Sequence, residues 1–235
     1  MMKAAPWPVM LATLLSLVAN LVMAGAPAWS WIPAALVAWY VADLVSGVVH
    51  MIMDYRPCRS GVGLDHLYFY AGSRESADYL ALRGEVWARI GPLEKLIYDF
   101  KNHHPRPDAL GRRPMSVQIG STIVFGTLPA SLAINLAAYG SLLPGWLVFG
   151  AVVLLVASTF SQYFHGTLHR EDNPPIVTVM RRIGLLMTPA AHAKHHATLA
   201  RDFATNCGWS NPLVNRLFAL AIRRRWLTEA GLTPQ

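Results

Sequence analysis

Two stretches of the chain, Ala4 to Ala42 and Pro114 to His169, contain no Asp, Glu, Lys or Arg. Each is long enough for two membrane-crossing helices of about 20 residues. Pro27 and Pro33 break the first stretch, and Gly140 and Pro144 break the second, as helix-ending residues do. The pattern predicts spans from Trp7 to Ala24, Trp31 to Met53, Met115 to Tyr139 and Gly145 to His169. This is an all-α integral membrane protein with four transmembrane helices in two hairpins. Beyond the fourth span, Ile176 to Met187 and Leu213 to Leu227 mix apolar residues with Arg181, Arg182, Arg216 and Arg223 to Arg225. Such mixed segments are expected to lie in the membrane interface rather than cross it. No repeat or low-complexity segment interrupts the chain, so residues 1–235 read as a single domain.

Charge sets the orientation. The two short turns between paired spans hold no Lys or Arg, and all 20 basic residues fall at the N-terminus, between the second and third spans, or after the fourth. The excess of positive charge in cytoplasmic segments then places both termini and residues 56–113 in the cytoplasm. The net charge of +7 is scattered beside membrane spans instead of along one soluble face, which argues for anionic lipid and against nucleic acid. Charged residues make up 14% of the chain, against roughly 25% in soluble domains. Cys58 and Cys207 form no Cys-x-x-Cys pattern and fall on the reducing side, so no disulfide is expected. The first 25 residues, with Lys3, an apolar run and Ala24-Gly25-Ala26, also read as a signal peptide, against which Pro27 at the junction counts. Either reading leaves the second span entering from the same side.

Eight of the nine histidines fall in four short windows, where a random scatter would leave almost none. His50 and Asp54 are four apart at the end of the second span, as are His165 and His169 at the end of the fourth, so each pair shares a helix face. His192, His195 and His196 repeat that spacing on a helix that Thr188 caps and Pro189 opens. His103 and His104 are adjacent, about 100° apart on a helix. They can face one point only if the chain leaves the helix there, which Pro105 and Pro107 favour. The topology brings all four windows to the cytoplasmic side. His66, beside Asp65, stands apart from them and is expected to be an ordinary loop residue.

Imidazole and carboxylate donors without thiolate suit iron, zinc, copper or manganese. Nine donors exceed the needs of one tetrahedral ion, so two ions are expected, and iron is the metal whose oxygen chemistry attacks unactivated carbon. Asp43 lies within the hydrocarbon, where a charge costs at least about 2.5 kcal/mol. It shares a stripe with Gly47, His50 and Asp54, and is expected either to accept the second ring N–H of a ligand histidine or to be protonated and bonded to Asn135 or Ser46. Arg223 to Arg225 reads as a solvated or lipid-facing basic patch.

The stretches ADLVSGVVHMIMD (42–54), FKNHHPRP (100–107), SQYFHGTLH (161–169) and HAKHHATLARDFATNCGWSNPL (192–213) resemble the plasmanylethanolamine desaturase family, which includes a plant plastid desaturase acting on phosphatidylglycerol. The resemblance covers about residues 42–216. It implies a membrane di-iron enzyme that removes two hydrogens from a lipid chain with O2 and two electrons from an external donor protein, in some members turning an alkyl ether into a vinyl ether. It implies metal-binding roles for His50, Asp54, His103, His104, His165, His169, His192, His195 and His196. Phe203, Asn206, Gly208, Trp209 and Asn211 lie in a matching segment without an assignable role. One departure is the 48-residue interval between Asp54 and His103, longer than the resemblance leads one to expect and a candidate lid or lipid entrance.

The expected function is a phospholipid desaturase acting near the headgroup. A lipid hydroxylase would use the same residues. A metal transporter or haem-binding electron carrier would place paired histidines within a span rather than at its end.

Overall fold

A computed structural model describes residues 4–235; Lys3, part of the basic N-terminus, lies outside them. Among the described residues the regular structure is entirely helical. Helix α1 (Trp7–Met23) leads to α2 (Trp31–Tyr55). Three helices follow in the long connection, α3 (Leu64–Tyr68), α4 (Ala77–Arg89) and α5 (Pro92–His103), and then the single turn α6 (Asp108–Gly111). The third apolar stretch is α7 (Met115–Thr122) and α8 (Leu128–Tyr139), joined by a π-helical turn at Ile123–Thr127. Helices α9 (Gly145–Thr167), α10 (Pro175–Arg182), α11 (Pro189–Thr198) and α12 (Asn211–Arg223) complete the fold.

Three helical stretches, Trp31–Tyr55, Met115–Tyr139 and Gly145–Thr167, are long and apolar enough to cross a membrane. Helix α1 is apolar but has 17 residues, about 26 Å at 1.5 Å per residue. Its buried face is polar: Ser16 and Asn20 bond Ser131 of α8, and Asn135 of α8 bonds Ser16. In an apolar surround such bonds select one helix pairing. They also correct one expectation, since the side chain of Asn135 serves Ser16 and not Asp43.

The most extensive helix pair is α2 with α9. Trp31 stacks on Phe149 with ring centroids 4.1 Å apart, and His50 approaches His165 at 4.9 Å. The two helices therefore run parallel, and their histidines arrive at the same end. The fourth apolar helix stops at Thr167, so His169 sits in the turn after it, its N–H bonded to the Gly166 carbonyl. The amphipathic helices are also shorter than the expected segments. In α10, Arg181 donates to the carbonyls of Met187 and Thr167 and to the Thr167 hydroxyl, so this arginine staples two loops instead of facing lipid. Helix α12 buries Val214 and Phe218 against Met51, Tyr55 and Phe203.

The long connection folds on its own core of Val62, Leu64, Leu67, Tyr79, Val86, Ile97 and Tyr98. Arg74 ties it together, donating to the Tyr79 hydroxyl, the Asn102 side chain and the carbonyls of Leu67 and Tyr68. Lys101, fully buried, joins this unit to α2 by donating to the carbonyls of Met53 (3.1 Å) and Asp54 (2.6 Å). Those carbonyls lie in the last turn of α2 and lack helical partners.

Candidate metal centre

Residues 203–210 run antiparallel along α2 and complete the frame of the site. The His50 Nδ1–H donates to the Phe203 carbonyl at 2.9 Å. Ala204 lies against Gly47, where an added Cβ would sit 2.9 Å from the Ala204 Cβ, so only glycine allows this approach. The Thr205 N–H meets the Ser46 hydroxyl at 3.4 Å. Asp43 accepts from the N–H groups of Cys207, Gly208 and Ser210 at 2.8, 3.0 and 2.9 Å, and from the Ser210 hydroxyl at 2.7 Å. This corrects the reading of Asp43. Its carboxylate binds no histidine; it anchors the loop whose Phe203 carbonyl orients His50. Ser46 is its neighbour only through the Asp43 backbone carbonyl. Three backbone N–H groups and the Ser210 hydroxyl surround the carboxylate, and neither the Asn135 nor the Ser46 side chain is among its partners.

The nine expected donors come together in two sets. His103, His165, His169, His192 and His196 form one, and His50, Asp54, His104 and His195 the other, the donor atoms within each set lying within 4.8 Å of one another. Adjacent His103 and His104 thus face two different points. On α11, His192 and His196 turn to the first set and His195 to the second. His50, Asp54, His103, His165, His192 and His195 are buried, while His104, His169 and His196 form the partly exposed edge. His66 stays outside, exposed beside Asp65.

Several features fit these sets to metal ions. The Nδ1–H groups of His50, His195 and His103 donate to the carbonyls of Phe203, Arg201 and Phe100, which leaves each Nε2 with its lone pair turned inward. Nε2 atoms face one another at 3.1 Å (His165 with His192), 3.2 Å (His169 with His192), 3.1 Å (His192 with His196) and 3.4 Å (His104 with His195). Donors sharing an ion at about 2.1 Å stand about 3.0 Å apart at right angles and about 3.4 Å at tetrahedral angles. Asp54 Oδ2 lies 3.3, 3.4 and 3.3 Å from the Nε2 atoms of His50, His104 and His195. Both Asp54 oxygens, and Nε2 of His50 and His103, are buried without a hydrogen-bond partner. Buried polar atoms in that state call for a missing occupant.

Electrostatics agrees. Burial, reinforced by neighbouring imidazoles, holds His103 and His192 well below the usual histidine range and lowers His169 to about 4 and His196 to about 3. These rings are neutral at pH 7, the state a metal requires.

Sequence reasoning missed Lys101 and the carbonyls of Phe100, Arg201 and Phe203. Lys101 had a signal, since it stands four residues after Ile97 on the buried face of α5. Backbone carbonyls have none.

Residues 90–228 match the lipid desaturase domain. That stretch holds seven of the eight clustered histidines and leaves out His50 and Asp54. The plasmanylethanolamine desaturase of Myxococcus xanthus is 26% identical over 213 residues, 88% of this chain and 64% of that protein. The chloroplastic fatty acid desaturase 4 of Arabidopsis thaliana is 27% identical over 141 residues, 58% of this chain and 42% of that one. The chain therefore spans less than two thirds of the length of these relatives. No solved structure matches it. With more than half its length matching the domain, the chain belongs to the lipid desaturase family, a family of oxidoreductases.

Proposed function

We propose that the protein is a multi-pass membrane desaturase that introduces a double bond into a phospholipid chain near the headgroup, as in conversion of a plasmanyl lipid to its vinyl ether. The observation that carries this reading is the division of nine donors into two adjacent sets of five and four. In this reading α1, α2, α7 with α8, and α9 are four spans of one domain. Both termini and the metal sets face the cytoplasm, where the bulk of the basic residues lie, and α10 and α12 rest at the interface.

The two sets would hold two iron ions. Bound there, iron would supply the reduction of O2 to two waters, using two hydrogens from the lipid, two electrons from a donor protein and two protons, and the lipid would be left as an alkene. The chain's own part is placement. Phe203, Arg201 and Phe100 fix ring orientation through their carbonyls, and Lys101 holds the α2 terminus that carries Asp54. Asp54 brings the single negative charge to its set. Phe100 and Phe203, both buried around His50, exclude water. His50 and His165 stand near the ends of two spans, at headgroup level, so the reacting carbons lie close to the glycerol.

Expression in a host supplied with alkyl-ether phospholipids tests this. Lipids lighter by two hydrogens are expected, and mild acid should release an aldehyde from a vinyl ether but not from an acyl alkene. His196→Ala at equal expression should give neither product. Gain of one oxygen without an alkene would establish a hydroxylase, and a double bond deep in the chain would refute the headgroup-level placement.

A further inference from the structure

A histidine that binds metal through one ring nitrogen is oriented by a hydrogen bond from the other. The rings of His50, His195 and His103 are held in this way by the carbonyls of Phe203, Arg201 and Phe100. His192 is not. Its Nε2 stands 3.1, 3.2 and 3.1 Å from those of His165, His169 and His196, which makes it the hub of the five-histidine set. Yet its Nδ1 is buried and has no hydrogen-bond partner. With Nε2 turned to a metal, Nδ1 carries the ring proton and is a buried donor without an acceptor.

Asn206 is the complementary orphan. It is 0% exposed, and neither its Oδ1 nor its Nδ2 has a partner. Asn20, Asn135 and Gln118 also leave an oxygen unpaired, but each donates through its nitrogen. Among the described residues Asn206 is thus the one carboxamide with both ends buried and unpaired, a state that calls for an occupant. Two contacts bring it to His192. Its backbone carbonyl accepts from the Met187 N–H at 2.7 Å. Met187 precedes the Thr188 cap of α11 and His192 is the fourth residue of that helix, and these two positions pack against each other at a helix start. From the other side, Phe203 stands three residues before Asn206 and holds His50, whose ring centroid is 6.4 Å from that of His192.

We propose that Asn206 is a positioning residue for His192, joined to it through buried water. The water accepts from the His192 Nδ1–H and from Asn206 Nδ2 and donates to Asn206 Oδ1, so that every orphan atom gains a partner. Buried polar groups beyond direct reach of each other are joined in this manner. The proposal rests on the reading of the two sets as metal sites. It makes the segment anchored by Asp43 the support of both: Phe203 orients a ring of the four-donor set, and Asn206 the hub of the five-histidine set. A fault in the folding of that segment would therefore disturb both sets, whereas loss of the carboxamide alone disturbs only the five-histidine set.

Zinc affinity of the purified full chain, measured by competition with a chromophoric chelator, tests this without turnover. Asn206→Leu keeps the branched shape of the side chain and removes its hydrogen bonds. Combined with Asp54→Ala, which leaves the five-histidine set, it should weaken zinc binding by about 10–100-fold. Combined with His192→Ala, which removes the partner, it should change binding at the four-donor set by no more than about twofold. Asn206→Asp, which keeps an acceptor, should retain most of the affinity. Unchanged affinity beside Asp54→Ala, or an equal loss in both combinations, would overturn the proposal. Should the leucine variant not fold, proton NMR of the cobalt-loaded wild type and Asn206→Asp decides: one ring N–H resonance should move between them, and identical ring N–H resonances would overturn the proposal. A wild type that binds no ion would reject the metal reading itself, whereas two bound ions with a silent Asn206→Leu would reject only the role of Asn206.

Discussion

Asp43→Asn is the sharpest probe of the frame around the metal sets. The carboxylate accepts four hydrogen bonds from Cys207, Gly208 and Ser210. Bonds to a charged acceptor are worth about 1.5–3 kcal/mol each. In the variant one oxygen becomes an NH2 donor. Its least costly orientation faces Ser210, whose hydroxyl can turn to accept it, but the buried Ser210 N–H then loses its acceptor at about 1–3 kcal/mol. The bonds from Cys207 and Gly208 lose their charge assistance, roughly half their strength. Relief of a buried charge offsets part of this, and a net loss of about 2–4 kcal/mol remains. The loop should then loosen, freeing the Phe203 carbonyl from His50 and lowering metal content in the four-donor set. Thermal unfolding by circular dichroism, with metal analysis on the same sample, measures both effects. Ser210→Ala should act in the same direction but more weakly, and the two substitutions should be non-additive. If Asp43→Asn kept its metal and melting temperature, or if Ser210→Ala were silent while Asp43→Asn was not, the loop-anchor account would fail.

Further expectations follow from the same frame. Asp54→Ala should leave about one ion per chain, because the five-histidine set shares no donor with it; retention of two, or loss of both, would contradict independent sets. Gly47→Ala should destabilise by up to about 2 kcal/mol, because crowding at Ala204 costs about 1–3 kcal/mol against a gain of roughly 1 kcal/mol in helix propensity; a denaturation midpoint above that of the wild type would show that the loop yields. His66→Ala should alter neither metal content nor turnover. Reporter fusions after Ser141 should lie on the face opposite to the C-terminus, and a cytoplasmic signal there would break the common-side placement of the histidines.

Much of the site was legible because helical spacing is local. His50 with Asp54 and His192 with His196 are paired by a four-residue repeat alone, and Thr188 with Pro189 announced the start of α11. The division of His103 from His104 between two sets was not legible, since it depends on how α5 leans against α2 and α9. Asp43 stood out in the sequence for its cost in hydrocarbon and was expected to serve a ligand histidine, but its partners lie more than 160 residues away, at Cys207 to Ser210, where no periodicity connects them. The connection from 56 to 102 read as an insertion; its small core shows only after the scattered apolar residues of α3, α4 and α5 are folded together. The length of α1 was overestimated by one residue at its end, whereas its polar face of Ser16 and Asn20 went unused because its partners, Ser131 and Asn135, sit on another span.

The anchoring of residues 203–210 on α2 also dictates an order of biogenesis. Helix α2 leaves the ribosome and enters the bilayer well before Cys207 to Ser210 are synthesised, so during that interval the Asp43 carboxylate is without its four donors. At the helix centre such a group opposes insertion by about 2.5–3.5 kcal/mol, which the apolar remainder of α2 must outweigh. The hydrogen bond that holds the His50 ring forms only once the segment from Phe203 docks. Spans are therefore threaded first, and a nascent chain stalled ahead of residue 203 would carry all four donors of the second set but lack the Phe203 carbonyl that orients His50.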